Sequence, residues 1–241
     1  MRIMTWNIQD GGTTSLQHPD IANIQEILSV IRKEAADVIV LQEYQSEYHD
    51  QLVTNGLEKM EYTCTVCQDA PDRTLRNRVL IGSKLPFEEI DRPADILTYS
   101  RRNWNEIKIP DYPLTILGVH VPLAQTTDLY GHKRENTREK RIFLEALENK
   151  FREYQKCSTP AVILGDFNLH AKASCYDFLE CFYSYLEEIT TQDSTRGQYK
   201  LDYIFANDAF LHLPDQEKQE KKYAPISTKF SDHKYFCVDL K

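Results

Sequence analysis

No run of about 18 consecutive apolar residues occurs in this chain of 241 residues, so no membrane-spanning helix and no stable membrane association are expected. The first residues enter a strand pattern at once, without the basic segment and apolar core of a secretory signal; a cytoplasmic location is expected. Cysteine is sparse. Cys64, Cys67, Cys157, Cys175, Cys181 and Cys237 are scattered too thinly for a disulfide framework, and reduced thiols are expected. Cys64 and Cys67 have the spacing of half a zinc site, but no second Cys or His pair follows at ligand spacing, and small residues in a β-rich segment account for them. Net positive charge is missing too. At −8 the chain lacks the broad basic surface that holds a nucleic-acid duplex by phosphate neutralisation. That does not exclude a nuclease, because carboxylates gathered around a divalent cation are acidic by themselves and the cation supplies the local positive charge. Repeats and a Gly/Ser/Pro-rich linker are also absent. With 41% hydrophobic and 27% charged residues, the composition is that of an ordinary globular protein.

What is present is an alternation of helices and strands. Residues 2–8 read as a strand, and 19–33 as an amphipathic helix with Ile21, Ile24, Leu28 and Ile31 on one face. A buried strand over 37–41 and a second helix over 46–59, with Ser46 as its N-cap, complete a βαβ opening that needs a sheet covered by helices. From 61 to 121 the pattern changes to short strands, clearest at 78–82, 103–109 and 114–121, which without intervening helices imply antiparallel pairing. A helix over 135–151, a strand over 161–164, a short helix over 173–182 and strands over 199–206 and 235–240 follow. Loops are expected at 125–133 and 208–222. The two halves share one rhythm, so a single domain over 1–241 is expected, an α/β fold of two packed mixed sheets with helices outside, and a monomer.

Strands that stop in polar side chains are the chain's main feature. Val162-Ile163-Leu164-Gly165 runs into Asp166-Phe167-Asn168, Met4-Thr5-Trp6 into Asn7, and Val38-Ile39-Val40-Leu41 into Gln42-Glu43. His120 closes another apolar run, Asp202 lies within one, and Ser231-Asp232-His233 comes near the end. Taken singly, each has an ordinary role as a turn cap, a solvated strand end or a core histidine. Taken together, they lie at or near the C-terminal ends of apolar runs, where α/β folds gather their chemistry at one sheet edge. Such a set suits phosphate-ester hydrolysis. Glu43 is a hard oxygen ligand for Mg²⁺ or Mn²⁺, with Asn7 and Asp232 completing the shell. Asp166 is placed to orient and deprotonate a water, while Asn168 and His120 donate to the phosphate. His233 acts from the other side of the phosphorus, provided Asp202 fixes its tautomer and charge.

In family order, Thr5-Trp6-Asn7-Ile8, Leu41-Gln42-Glu43, Gly118-Val119-His120-Val121-Pro122, Gly165-Asp166-Phe167-Asn168, Leu201-Asp202-Tyr203 and Ser231-Asp232-His233 resemble the six motifs of the endonuclease/exonuclease/phosphatase superfamily, the deoxyribonuclease-I-like fold. The resemblance implies a four-layer α/β sandwich, Mg²⁺ dependence and in-line attack of water on phosphorus. Three departures bear on substrate. Leu123 stands where the abasic-site endonuclease branch has Asn, and Gln9 where that branch often has an acid or Asn. Ser194-Thr195-Arg196-Gly197-Gln198 lacks that branch's aromatic residues, apart from Tyr199 just after it. A general nuclease acting on DNA or RNA is therefore expected ahead of an abasic-site repair enzyme. A phosphatase or phosphodiesterase for a small-molecule or lipid phosphoester is the alternative. An inactive scaffold is disfavoured, because all six motifs are present.

Substrate grip has several candidates. Arg134, Arg138 and Arg141 share one helix face, either as a phosphate-tracking stripe or as a solvated face paired with Glu135, Glu139 and Glu145. Arg73, Arg76 and Arg78, and Arg101 with Arg102, form two further basic clusters. Tyr99 and Trp104 are candidates for base stacking, with core packing the commoner fate of a strand Trp.

Overall fold

The computed structural model describes residues 1–12, 20–45, 50–66, 77–96, 98–127, 133–213 and 222–240. Apolar runs with buried residues on both faces form the centre. β1 (Arg2–Asn7) and β2 (Val38–Gln45) pair in parallel, joined by the helix Ile21–Glu34. That helix opens at Asp20, whose carboxylate accepts from Ala22 N, and closes with Arg32 and Lys33 in its last turn, where cations complement the helix dipole. The helix Asp50–Glu58 follows, and the expected Ser46 cap lies outside the described residues. β3 (Thr63–Val66) and β4 (Asn77–Ser83) add antiparallel, as expected for strands without a crossover helix.

The second sheet repeats the arrangement. After β5 (Glu88–Glu89) and β6 (Trp104–Ile109), β7 (Leu114–His120) leads into a ribbon of β8 (Gln125–Thr127) and β9 (Lys133–Glu135). This ribbon corrects the loop expected at 125–133: Gln125 faces Glu135, and Asn136 N closes it on Ala124 O. The helix Thr137–Lys156 then crosses to β10 (Ala161–Asp166), which lies parallel to β7. β11 (Glu187–Glu188) and β12 (Asp202–Ala206) follow the short helix Asp177–Tyr183, and β13 (Phe236–Asp239) returns to the first sheet. The strand expected from 199 starts only at Asp202, because Arg196 and Tyr199 exchange backbone hydrogen bonds in a tight turn. Within the expected 208–222 loop, Asp208–Leu211 is helical: Asn207 caps it on Phe210 N, and Phe210 is buried. Residues 214–221 lie outside the described set.

The sheet orders are β13-β1-β2-β4-β3 and β11-β12-β10-β7-β6-β5, each with one parallel pair inside antiparallel neighbours. Three apolar layers separate four structural ones. Between the sheets lie Ile3, Val38, Val40 and Val79 against Ile107, Ile116, Val162 and Leu164. Ile24, Ile27, Leu28 and Ile31 cover the first sheet's outer face. Phe143, Leu147, Phe151 and Phe182 cover that of the second, with Phe151 stacked on Phe182 at 4.2 Å. Each such side chain contributes roughly 1.5–3 kcal/mol on full burial. The molecule is thus a four-layer α/β sandwich of two mixed sheets flanked by helices. At Gly118 the sheets are packed too tightly for a side chain: a Cβ would stand 2.5 Å from Val40 Cγ1. Among the described residues no helix is long and apolar enough to cross a membrane.

Candidate active site

Both parallel pairs end at the same edge. Asn7 ends β1 and Glu43 lies near the end of β2, while His120 ends β7 and Asp166 ends β10 directly opposite it. Asp202 also faces Asp166, but from the first residue of its strand, because β12 runs antiparallel to β10. The expectation that every site residue lies at a C-terminal strand end therefore fails for Asp202.

The turn after β10 is built for this edge. Gly165 has φ +138, and a Cβ there would stand 2.0 Å from Val119 O, so only glycine lets β10 lie against β7 at this point. Asp166 Oδ1 accepts from Asn168 N at 2.8 Å, which leaves Oδ2 facing the cleft. Asn7 Nδ2 donates to Asp166 Oδ2 at 3.0 Å and to Glu43 Oε1 at 2.9 Å. Asn7 Oδ1 is taken by Gln9 N, so Asn7 presents its nitrogen to the carboxylates and not the oxygen expected of a metal ligand.

His120 Nε2 stands 3.6 Å from Glu43 Oε1 and 3.8 Å from Asp166 Oδ2. Burial pushes His120 down to about 4, against the opposing pull of Asp166, so its ring is neutral near pH 7. His233 Nδ1 lies 2.8 Å from Asp202 Oδ2, and its Nε2 is 3.8 Å from Asp166 Oδ2. Burial alone would lower His233, but Asp202, then Asp166 and Asp232, outweigh it and raise it to about 9. His233 and His120 thus converge on one oxygen of Asp166. His233 therefore stands on the flank of Asp166, with its Nε2 free of hydrogen-bond partners among the described residues.

Asp166 is raised by burial first and by Asp202 second, and Glu43 is raised chiefly by burial. Closely set, buried carboxylates of this kind favour a compensating cation. Ligand atoms of Glu43, His120 and Asp166 lie within 4.8 Å of one another, as do those of Asp166, Asp202 and His233. Oxygen donors with imidazole suit a hard or borderline divalent ion. Asp232 belongs to neither group; its Oδ2 is paired with Arg196 Nη2 at 2.6 Å and its Oδ1 lies 4.0 Å from His233 Nε2. Asn168 lies beside Asp166, with its amide donating to Val121 O at 2.9 Å.

Asp10 was not singled out from the sequence. Gln9 and Asp10 both take positive φ, and this turn sends Asp10 N to Glu43 Oε2 at 2.7 Å while Asp10 Oδ1 accepts from Asn77. An acid thus stands beside Glu43 one residue after Gln9. The signal was Gly11-Gly12 directly after it, a pair that permits so tight a turn.

The substrate-grip candidates divide. Trp104 is fully buried with its ring edge-on to Phe143 at 5.7 Å, which removes it as a base-stacking surface. Arg141 pairs with Glu145 at 3.1 Å on the exposed helix face. Arg102 lies close enough to His120 to help lower its pKa and donates to Asn77 O. Arg73, Arg76 and Cys67 lie outside the described residues, as do the side chains of Tyr99 and Arg134. Leu123 is exposed, three residues beyond His120.

The chain resembles solved structures over its whole length. A 3'-5' exonuclease (NExo) from Neisseria meningitidis matches with a TM-score of 0.70 and 15% identity, covering 100% of both chains. An AP endonuclease from Archaeoglobus fulgidus gives a TM-score of 0.68 at 14% identity, over 100% of this chain and 99% of that one. NExo from Neisseria, described as a 3' phosphatase bound to product DNA hairpin, gives 0.67 at 15%, over 100% and 99%. No curated protein matches in sequence. At such identities these likenesses establish the deoxyribonuclease-I-like fold. Residues 4–233 match the sequence model of the Endonuclease/Exonuclease/phosphatase family, across all six motifs and the site they build. The chain belongs to that family, and the membership indicates phosphoesterase activity.

Proposed function

We propose that the protein is a metal-dependent phosphodiesterase that cleaves DNA or RNA by attack of water on phosphorus. The convergence of Asn7, His120 and His233 on a single carboxylate oxygen, Asp166 Oδ2, carries this reading. That oxygen is the group positioned to take a proton from a water and aim it. Asn7 holds it in place and holds Glu43 beside it. His233, kept protonated by Asp202, donates from Nε2 to a phosphate oxygen. The neutral His120 supplies a second donor without changing the net charge. Asn168 keeps one amide proton on Val121 O and has the other for phosphate.

Glu43 would hold Mg²⁺ or Mn²⁺ beside Asp166 and His120, with Asp232 reaching the shell once released from Arg196. A bound cation neutralises charge on the phosphate and stabilises the leaving oxygen. A nucleic-acid substrate fits the DNA-bound Neisseria relative, and the chain is taken to act as a monomer of one domain.

The test is a panel of labelled single-stranded, double-stranded, abasic and RNA oligonucleotides with Mg²⁺ or Mn²⁺. EDTA should abolish cleavage, and Asp166→Ala, Glu43→Ala and His233→Ala should each remove most of it. Wild-type rates in these variants refute the assignment. Turnover of small phosphoesters with no polynucleotide cleavage would instead identify a phosphatase.

A further inference from the structure

Beneath the Asp166 turn lies a buried ammonium group that the chemistry above does not use. Lys140, in the first turn of the helix Thr137–Lys156, is only 2% exposed. Its Nζ donates to the main-chain carbonyl of Asn168 at 2.7 Å. A lysine this buried carries a desolvation cost that an apolar residue on the same helix face, like its neighbours Phe143 and Leu144, would avoid. Burial lowers its pKa, against the attraction of Cys175 and Asp166, and its charge in turn helps lower that of His170. The ionisable groups facing it are thus Asp166, His170 and Cys175, all on β10 or the segment after it.

The bonded carbonyl belongs to a residue under strain. Asn168 has φ +48, the left-handed region that non-glycine residues occupy only when their surroundings hold them there. Three contacts do so. Asn168 N donates to Asp166 Oδ1, Asn168 Nδ2 donates to Val121 O, and Lys140 Nζ fixes the carbonyl. The first of these also sets the rotation of the Asp166 carboxylate, and hence the direction of Oδ2.

We infer that Lys140 is a positioning residue: by clamping the Asn168 carbonyl it fixes the Asp166–Asn168 turn and so aims Asp166 Oδ2 at the reacting water. This rests on the role of Asp166 proposed above. Two measurements on Lys140→Met, with Phe143→Leu on the same helix as control, test it. Hydrogen exchange should speed up about tenfold or more at amides 167–170 while the sheets keep their protection. The kcat should fall about 10- to 100-fold with KM changed less than about threefold. Wild-type exchange and kcat in Lys140→Met overturn the inference. If Lys140→Met lowers Tm, an equal kcat loss in a Phe143→Leu protein of matching Tm also overturns it, and a much smaller loss there supports it. If the wild-type protein hydrolyses no phosphoester, the functional proposal fails, and exchange at 167–170, which needs no substrate, still decides the clamp.

Discussion

His233 and Asp202 form a buried pair, Nδ1 to Oδ2 at 2.8 Å, that keeps an imidazolium in the floor of the cleft. The folded pKa of His233 is raised from 6.5 to about 9. A raised folded pKa stabilises the protein fully below the unfolded value, and the effect is lost as pH rises through the folded one. In EDTA, wild-type stability should therefore fall between about pH 6.5 and 9 more steeply than that of Asp202→Asn. At about 1.4 kcal/mol per pKa unit, the difference is at most about 3 kcal/mol. Urea unfolding across this range checks it, and parallel curves would contradict a charged His233.

Asn7 separates two carboxylates with one amide nitrogen. Asn7→Asp keeps the volume and places a third acid between Glu43 and Asp166. Without metal this should cost about 2–4 kcal/mol, because a buried donor is replaced by like charge. Mn²⁺ should recover part of it, so the variant's Tm should rise more on adding Mn²⁺ than the wild type's. Equal Tm values in EDTA would count against this role.

Two glycines meet different obstacles. Ala at Gly165 would drive its Cβ against the Val119 carbonyl at an unfavourable φ, and backbone cannot rotate away. A loss above about 3 kcal/mol is expected, from strain and overpacking together. Ala at Gly118 meets the side chains of Val40 and Val79, and a loss of about 1–3 kcal/mol is expected. Denaturant titration of both variants should give that order.

Trp104 packs in the core with its indole nitrogen buried and without a hydrogen-bond partner among the described residues. Trp104→Phe leaves a small cavity but removes an unsatisfied donor, so the net cost should be about 1 kcal/mol. KM for an oligonucleotide should be unchanged, and a rise of several-fold would return Trp104 to the substrate surface.

The sandwich was legible because its evidence is local. Apolar runs such as Val38–Leu41 and Ala161–Leu164 announce buried strands, and the helical spacing of Phe143, Leu147 and Phe151 announces their cover. The convergence of Asn7, Glu43, His120, Asp166, Asp202 and His233 was legible from strand ends and motif order. Orientation was not. Which atom Asn7 presents depends on Gln9 N, and whether Asp232 faces the cleft depends on Arg196, a residue in a different loop. The place of Asp10 beside Glu43 depends on positive φ at Gln9 and Asp10, at which only the following Gly11-Gly12 hints. Trp104 faces the core because of the alternation set by its pairing with β7, a register fixed only in the assembled sheet.

One sheet brings Asn7 and Glu43 and the other brings His120, Asp166 and Asp202, so the groups of the candidate site meet across the seam between two layers that have separate hydrogen-bond ladders. The 3.0 Å contact from Asn7 to Asp166 is therefore the molecule's own gauge of alignment. A sandwich seated slightly out of true would keep every strand and helix, give a normal circular dichroism spectrum and still be inert.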